Sequence, residues 1–317
     1  MSGFFSHFNY LIEGDKWRKF IASLFYLQIP FTFSVHLGMV RTYLRKRLNL
    51  QGFLPMKVTQ LNLYPIKSTA AYRVEQAFVE AKGLNFDREF MITETDGKFI
   101  TARKDAELYN LSVFPIATGI VICHTSGQKC VVLYQDFQHI QTSEVWGTHF
   151  DSLVAKTEVN QWLSEIFGRA VQLRWLGGKS QREVADFAQH PLSFADSNPV
   201  SLMSEKSLEQ VKQWSPIEIS MDRFRPNIVV DGNQAFEEEQ WEQVQIGEVI
   251  FTKSALCTRC VMITRDLTTL ELDPNVEPFR TLKQMHTNEK GKPVFGIHLV
   301  PQNSGVIRLG DQVLIKS

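Results

Sequence analysis

Cysteine is scarce in this chain: Cys123, Cys130, Cys257 and Cys260 are the four in 317 residues. That is too few for the disulfide framework that staples small secreted domains. Net charge is missing as well. Lys plus Arg and Asp plus Glu both total 34, so no overall field draws the molecule to nucleic acid or to an anionic surface. No nucleic-acid partner is expected, and any basic site must be local. No internal repeat or low-complexity tract is present, and no segment combines the basic start, apolar middle and small-residue cleavage site of a secretory signal. A reducing, cytoplasmic setting is the resulting expectation. What the chain does have is enough length for one large domain or two modest ones, with a core that needs no staples.

The first 55 residues differ in kind from the rest. Phe20 to Val40 reads FIASLFYLQIPFTFSVHLGMV, an uncharged run about as long as a bilayer requires, with Lys16, Arg18 and Lys19 before it and Arg41, Arg45, Lys46 and Arg47 after it. Gln28, Pro30, Ser34 and His36 oppose a spanning helix, since each is costly in hydrocarbon. Three readings stand: a membrane anchor, a peripheral helix pair, or an extension upstream of a domain that begins at Met56.

From Met56 onward the punctuation is that of β-structure. MKVTQLNLYPIKS opens as a strand. EFMITETDGKFITAR (Glu89 to Arg103) is expected to be a tight hairpin with both Asp96 and Gly97 at positive φ. GEVIFTKSALC (Gly247 to Cys257) and GVIRLGDQVLIKS (Gly305 to Ser317) are further strands, the latter turning at Gly310-Asp311. Two helices interrupt them. VNQWLSEIFG carries a stripe of Trp162, Leu163, Ile166 and Phe167 and ends at Gly168, while SEKSLEQVKQW has Ser204 as N-cap and Leu208, Val211 and Trp214 inward. Many short strands with glycine turns suggest barrels. A softening of composition between Gly177 and Phe187 divides the chain into residues 56–176 and 177–317, after the segment 1–55.

The chemistry concentrates at SALCTRCVMITRDL (Ser254 to Leu267). Structural zinc wants four ligands, commonly from two knuckles, and no second CxxC or spaced histidine pair accompanies Cys257 and Cys260. A thioredoxin-like pair belongs at a helix start, whereas VMITRDL reads as a strand. Arg259 beside the pair favours thiolate, and a thiolate in a basic loop is a nucleophile or a soft-metal ligand. Other runs supply a pocket for an anion and a polar ring: Lys67 and Ser68 in YPIKST, Arg88 in LNFDREF, Asp196, Ser197 and Asn198 in SFADSNPV, and Arg223, Arg225 and Asn227 in DRFRPNIVV. Pro226 biases Arg225 toward an extended backbone, so FRPN is expected to be a stiff turn that aims a guanidinium.

The ordered set LYPIKS, GLNFDREFMI, DGKFITAR, FADSNP, FRPNIVV, IGEVIF, CTRC and NSGVIRLGD resembles the MOSC-domain molybdenum proteins, specifically the YcbX type and the mitochondrial amidoxime-reducing component. The likeness runs from Met56 to Ser317. It implies an α+β, predominantly β fold in which a β-barrel-like N-terminal unit packs on a MOSC β-barrel, with a molybdenum cofactor (molybdopterin) in the cleft between. By the same resemblance Cys260 is the protein ligand to molybdenum and the catalytic cysteine. Lys67, Ser68, Arg88, Asp196, Ser197, Asn198, Arg225, Asn227, Thr258 and Arg259 hold the cofactor, and Cys257 is a packed thiol. The implied activity is reduction of small N-hydroxylated compounds. The YcbX type ends in a 2Fe-2S ferredoxin-like domain, whose cysteines do not follow GDQVLIKS here. Electrons are therefore expected from a separate ferredoxin-, flavodoxin- or cytochrome-type donor. A cofactor carrier or sulfur-transfer module and a zinc-stabilised interaction protein are the rival readings. His298, in FGIH, is expected to be a surface or core histidine, with a cleft residue that tunes substrate choice as the alternative reading.

Overall fold

Alternation of apolar and polar residues builds short strands, and seven of them close on themselves. In the computed structural model, which describes residues 55–316 apart from Lys179 and Asp186, these are β1 (Met56–Leu63), β2 (Val200–Ser204), β3 (Ile228–Val230), β4 (Gln243–Ile246), β5 (Val249–Thr258), β6 (Val294–Pro301) and β7 (Gln312–Lys316). Around the barrel they run β3, β2, β6, β5, β4, β7, β1, and β1 pairs back onto β3. Neighbours are antiparallel except β2 and β3, which are parallel. A parallel pair needs a crossover, and α2 supplies it. The helices among the described residues are α1 (Thr157–Phe167), α2 (Glu205–Trp214) and α3 (Phe279–Met285).

The uniformly apolar strands are explained by burial on both faces. Leu202, Ile228, Val230, Ile297 and Leu299 belong to the barrel's interior core with Leu61, Val244 and Phe251. Their neighbours Met203, Val229 and Phe295 point outward, into a layer formed with Leu208 and Val211 of α2 and Leu282 of α3. In β4, half-buried Gln243 and Gln245 alternate with buried Val244 and Ile246. Ser204 caps α2 as its sequence predicts, its hydroxyl accepting from the Lys206 N–H at 3.1 Å.

The N-terminal half has its own core. Strands Phe90–Glu94, Val171–Trp175, Thr148–Ala155 and Phe137–Val145 form one sheet in that order, and Leu111–Ile116, Gly119–His124 and Lys129–Leu133 form a meander. Cys123 and Cys130 sit on adjacent meander strands as free thiols. Helix α1 lays Val159 and Leu163 into this core, with Trp162, Ile166 and Phe167 beside them. It ends at Gly168 in the left-handed conformation, φ +63°.

Three local expectations are corrected. The Glu89–Arg103 hairpin forms, but only Gly97 of its turn has positive φ, +89°. Its N–H donates to the Glu94 carbonyl at 3.0 Å, which is an ordinary turn ended by a glycine rather than the mirror-image one. Val261–Thr264 is a 3₁₀ turn, not a strand. Its apolar residues serve two cores, Met262 that of the N-terminal half and Ile263 that of the helical layer. Arg225, expected to be extended, is left-handed at φ +56° and ψ +51°. Among the described residues no helix is long and apolar enough to cross a membrane, and the uncharged run Phe20–Val40 lies outside them.

Candidate functional site

A cavity of about 910 Å³ opens between the two halves, and Cys260, Lys67, Ser68, Arg88, Asp196, Ser197, Asn198, Arg225, Asn227, Thr258 and Arg259 all lie on its wall. The chain reaches that wall through strained turns. Ser68, Arg88 and Arg225 take left-handed φ values of +72°, +52° and +56°. Each costs roughly 1–2 kcal/mol for a residue with a side chain. With Trp146, also on the wall at φ +53°, four such residues around one cavity mark a place where side-chain direction matters more than local comfort.

The residues divide into those committed to the protein and those free toward the cavity. Asn227 is committed: its Oδ1 accepts from Arg88 Nη1 at 3.2 Å, from Ser201 N–H at 3.1 Å and from Ser201 Oγ at 3.2 Å, and its Nδ2 donates to the Asn62 carbonyl at 3.2 Å. Arg259 is committed too. Its guanidinium donates to the Phe295 carbonyl at 2.8 and 3.1 Å and to the Phe224 carbonyl at 3.1 Å, clamping the base of the loop that ends at Cys260. Asn198 accepts from Ser254 Oγ at 2.7 Å and fixes the loop of Asp196 and Ser197 to β5.

Arg225 stands apart. Its guanidinium lies 4.1 Å from the centre of the Tyr64 ring and 5.7 Å from that of Tyr109, yet its buried Nη2 has no hydrogen-bond partner. Buried donors are ordinarily satisfied. Lys67 is held by Asp196 and donates to the Phe194 carbonyl at 2.7 Å. Burial lowers its ammonium to about 8 against the pull of Asp196. Burial works to raise Asp196, but Lys67, a hydrogen bond from Trp146 and the charge of Arg103 outweigh it and hold that carboxyl below the usual range.

Cys257 and Cys260 have opposite surroundings. Cys257 is fully buried, and burial pushes its thiol up to about 11. Cys260 is partly exposed at the cavity, at the start of the Val261–Thr264 turn. Arg259 acts on both cysteines through charge, but the guanidinium in contact with Cys260 is another. Arg103, from the far end of the hairpin in the N-terminal half, donates from Nε to Cys260 Sγ at 3.3 Å. Arg103 and Trp146 escaped the sequence reading although DGKFITAR contains the arginine. Their partners are distant in the chain, and nothing local marks such a contact.

His298, on β6, also lines the cavity, which is the alternative of its two readings rather than the plain surface or core one. Its Nδ1 is buried without a partner. Burial, reinforced by Arg259 and Arg88, lowers its pKa to about 3, so it is a neutral imidazole at physiological pH. Arg223 lines the cavity but is paired with Asp266 at 2.8 Å. Among the described residues the wall offers one thiol, several fixed cations, and two buried polar atoms without a partner.

Two family models match the chain: the MOSC N-terminal beta barrel domain over residues 55–170 and the MOSC domain over residues 189–314. Among curated proteins, mitochondrial amidoxime reducing component 2 of Bos taurus is 29% identical over 290 residues, covering 85% of this chain and 84% of that one. The protein of the same name from Homo sapiens is 28% identical over 304 residues, covering 88% and 90%. Molybdenum cofactor sulfurase of Drosophila melanogaster is 30% identical over 292 residues, covering 86% of this chain but only 36% of its own length.

Proposed function

Because the chain belongs to the MOSC-domain proteins, with a MOSC N-terminal β-barrel domain followed by a MOSC domain, we propose that it is a molybdenum-cofactor-dependent reductase of N-hydroxylated compounds such as amidoximes, hydroxylamines and hydroxylated base analogues. The observation that carries this reading is the pairing of a cavity-facing thiol, Cys260, with an arginine, Arg225, whose buried Nη2 lacks a partner. A phosphorylated heterocycle carrying a soft-ligand metal fits that donor set: sulfur for the metal, guanidinium and ammonium for the phosphate. The unsatisfied His298 Nδ1 fits a polar ring as well.

In this reading Cys260 is the protein ligand to molybdenum. Lys67, Ser68, Arg88, Asp196, Ser197, Asn198, Arg225 and Thr258 bind or face the cofactor, while Asn227 and Arg259 hold Arg88 and the cysteine loop in place. When bound, the cofactor supplies oxygen-atom and electron transfer chemistry that no side chain offers. The protein contributes the thiolate, the orientation of the anion, and a partly enclosed cavity. We divide the two domains between residues 176 and 177. The electrons come from a separate ferredoxin-, flavodoxin- or cytochrome-type protein. The amidoxime reducing components named above support the reductase, since they match over most of their length.

The test is to express the chain in a molybdenum-sufficient host and supply an artificial one-electron reductant with an amidoxime or a hydroxylamine. Conversion to the amidine or amine that depends on bound molybdenum supports the reductase. Bound cofactor with no conversion of either substrate type would favour a cofactor carrier instead.

A further inference from the structure

The contact at Cys260 goes further than ligand identity. We propose that Arg103 is the positioning residue for the Cys260 sulfur, fixing its direction and the charge that it offers to a metal; this rests on Cys260 being the ligand. Arg103 Nε donates to Sγ at 3.3 Å. A hydrogen bond to a ligating sulfur withdraws charge from it, and such outer contacts set metal affinity and potential.

The arginine is itself held on three sides. Its guanidinium carbon lies 4.4 Å from the centre of the Trp146 ring. Its Nη2 pairs with Asp196 Oδ2 at 3.3 Å, and Asp196 is anchored in turn by Lys67. The backbone is pinned as well: Arg265, just beyond the cysteine turn, donates from Nε to the Ala102 carbonyl at 3.2 Å and from Nη2 to the Arg103 carbonyl at 3.4 Å.

Trp146 shows that the fold accepts a cost for this arrangement. It occupies the tip of the hairpin between Phe137–Val145 and Thr148–Ala155, where it and Gly147 have φ values of +53° and +81°. Glycine or asparagine is the usual occupant of the first of these positions. A half-exposed tryptophan there, packed edge-on against Phe99 with ring centres 4.9 Å apart, gains little as core. It serves Arg103 twice, as a platform for the guanidinium and through a hydrogen bond to its partner Asp196.

The test uses the full chain with molybdenum bound and compares wild type with Arg103→Gln, Arg103→Lys, Trp146→Leu and Cys260→Ser. The readouts are the thiolate-to-metal charge-transfer absorption, the midpoint potential of the metal and its rate of loss on dialysis, with circular dichroism as the check on folding. Arg103→Gln is expected to move the absorption to longer wavelength, lower the potential and speed metal loss by about tenfold or more. Arg103→Lys is expected to recover part of each effect, and Trp146→Leu, which leaves the donor intact, to shift each readout less but in the same direction. If Cys260→Ser lacks the absorption while Arg103→Gln and Trp146→Leu both match wild type, the ligand assignment stands and the role given to Arg103 is overturned. If Cys260→Ser keeps both absorption and metal, the ligand assignment itself fails.

Discussion

Arginine side chains at this cavity do three different jobs, and the neighbours of each decide which. Arg259, adjacent to Cys260 in sequence, spends its donors on the carbonyls of Phe295 and Phe224, so it is a strut. Removing it leaves buried acceptors unpaired. Arg259→Ala is expected to cost about 3 kcal/mol in chemical denaturation, a size that follows from leaving two buried carbonyls without their charge-assisted donors at once; a change below the scatter of the measurement would contradict the strut. Arg225 has an unsatisfied nitrogen and Arg103 has a sulfur partner. The ordered motifs made the residues that face the cavity legible in the sequence. They could not separate the struts from the free donors, because that distinction depends on which carbonyl lies within reach. Nor could they find the Arg103 contact, whose partners lie 157 residues apart.

Elements that position the site place heavy demands on their backbone. Gly296 sits in β6, two residues before His298, with φ +79°. A Cβ there would lie 2.6 Å from both the Leu202 carbonyl oxygen and Met203 Cγ on β2. Gly296→Ala is expected to destabilise the protein by roughly 2 kcal/mol or more, from strain plus overlap with fixed backbone, as a lowered melting temperature would register. Next to α2, Glu238 is buried and accepts from Ser207 Oγ at 2.7 and 2.8 Å. Burial raises its pKa from 4.5 to about 7. The folded state therefore holds this proton more tightly than the unfolded chain does. That stabilising contribution is fully present below pH 4.5 and is lost as pH rises through about 7. The loss amounts to about 3 kcal/mol. Melting followed from pH 5 to pH 8 is expected to show this decline in wild type and a flatter profile in Glu238→Gln; parallel profiles would exclude it. Helix caps and alternating strands were readable because they are local. The run VMITRDL was misread as a strand because its Met262 and Ile263 are buried in different cores, and apolar adjacency alone does not tell a strand from a tight turn.

At the scale of the whole molecule, the cavity depends on long-range closure. Strand β1 opens the described chain yet completes the barrel by pairing with β3 and β7, and Gly305–Arg308 returns to pair with Gln76–Glu80. This interlocking fixes the Lys67 and Arg88 loops of the N-terminal half opposite Cys260. The resemblance carried by the ordered motifs implied a cleft, but which strands close the barrel is a property of pairing that no local pattern carries. The measurement that tests the central claim most directly is elemental analysis with pterin fluorescence on the full chain from a molybdenum-sufficient host, beside its Cys260→Ser variant. The account predicts molybdenum and pterin near one per chain in wild type, with the metal lost or labile in the variant. Stoichiometric zinc, or a chain free of both metal and pterin, would contradict it.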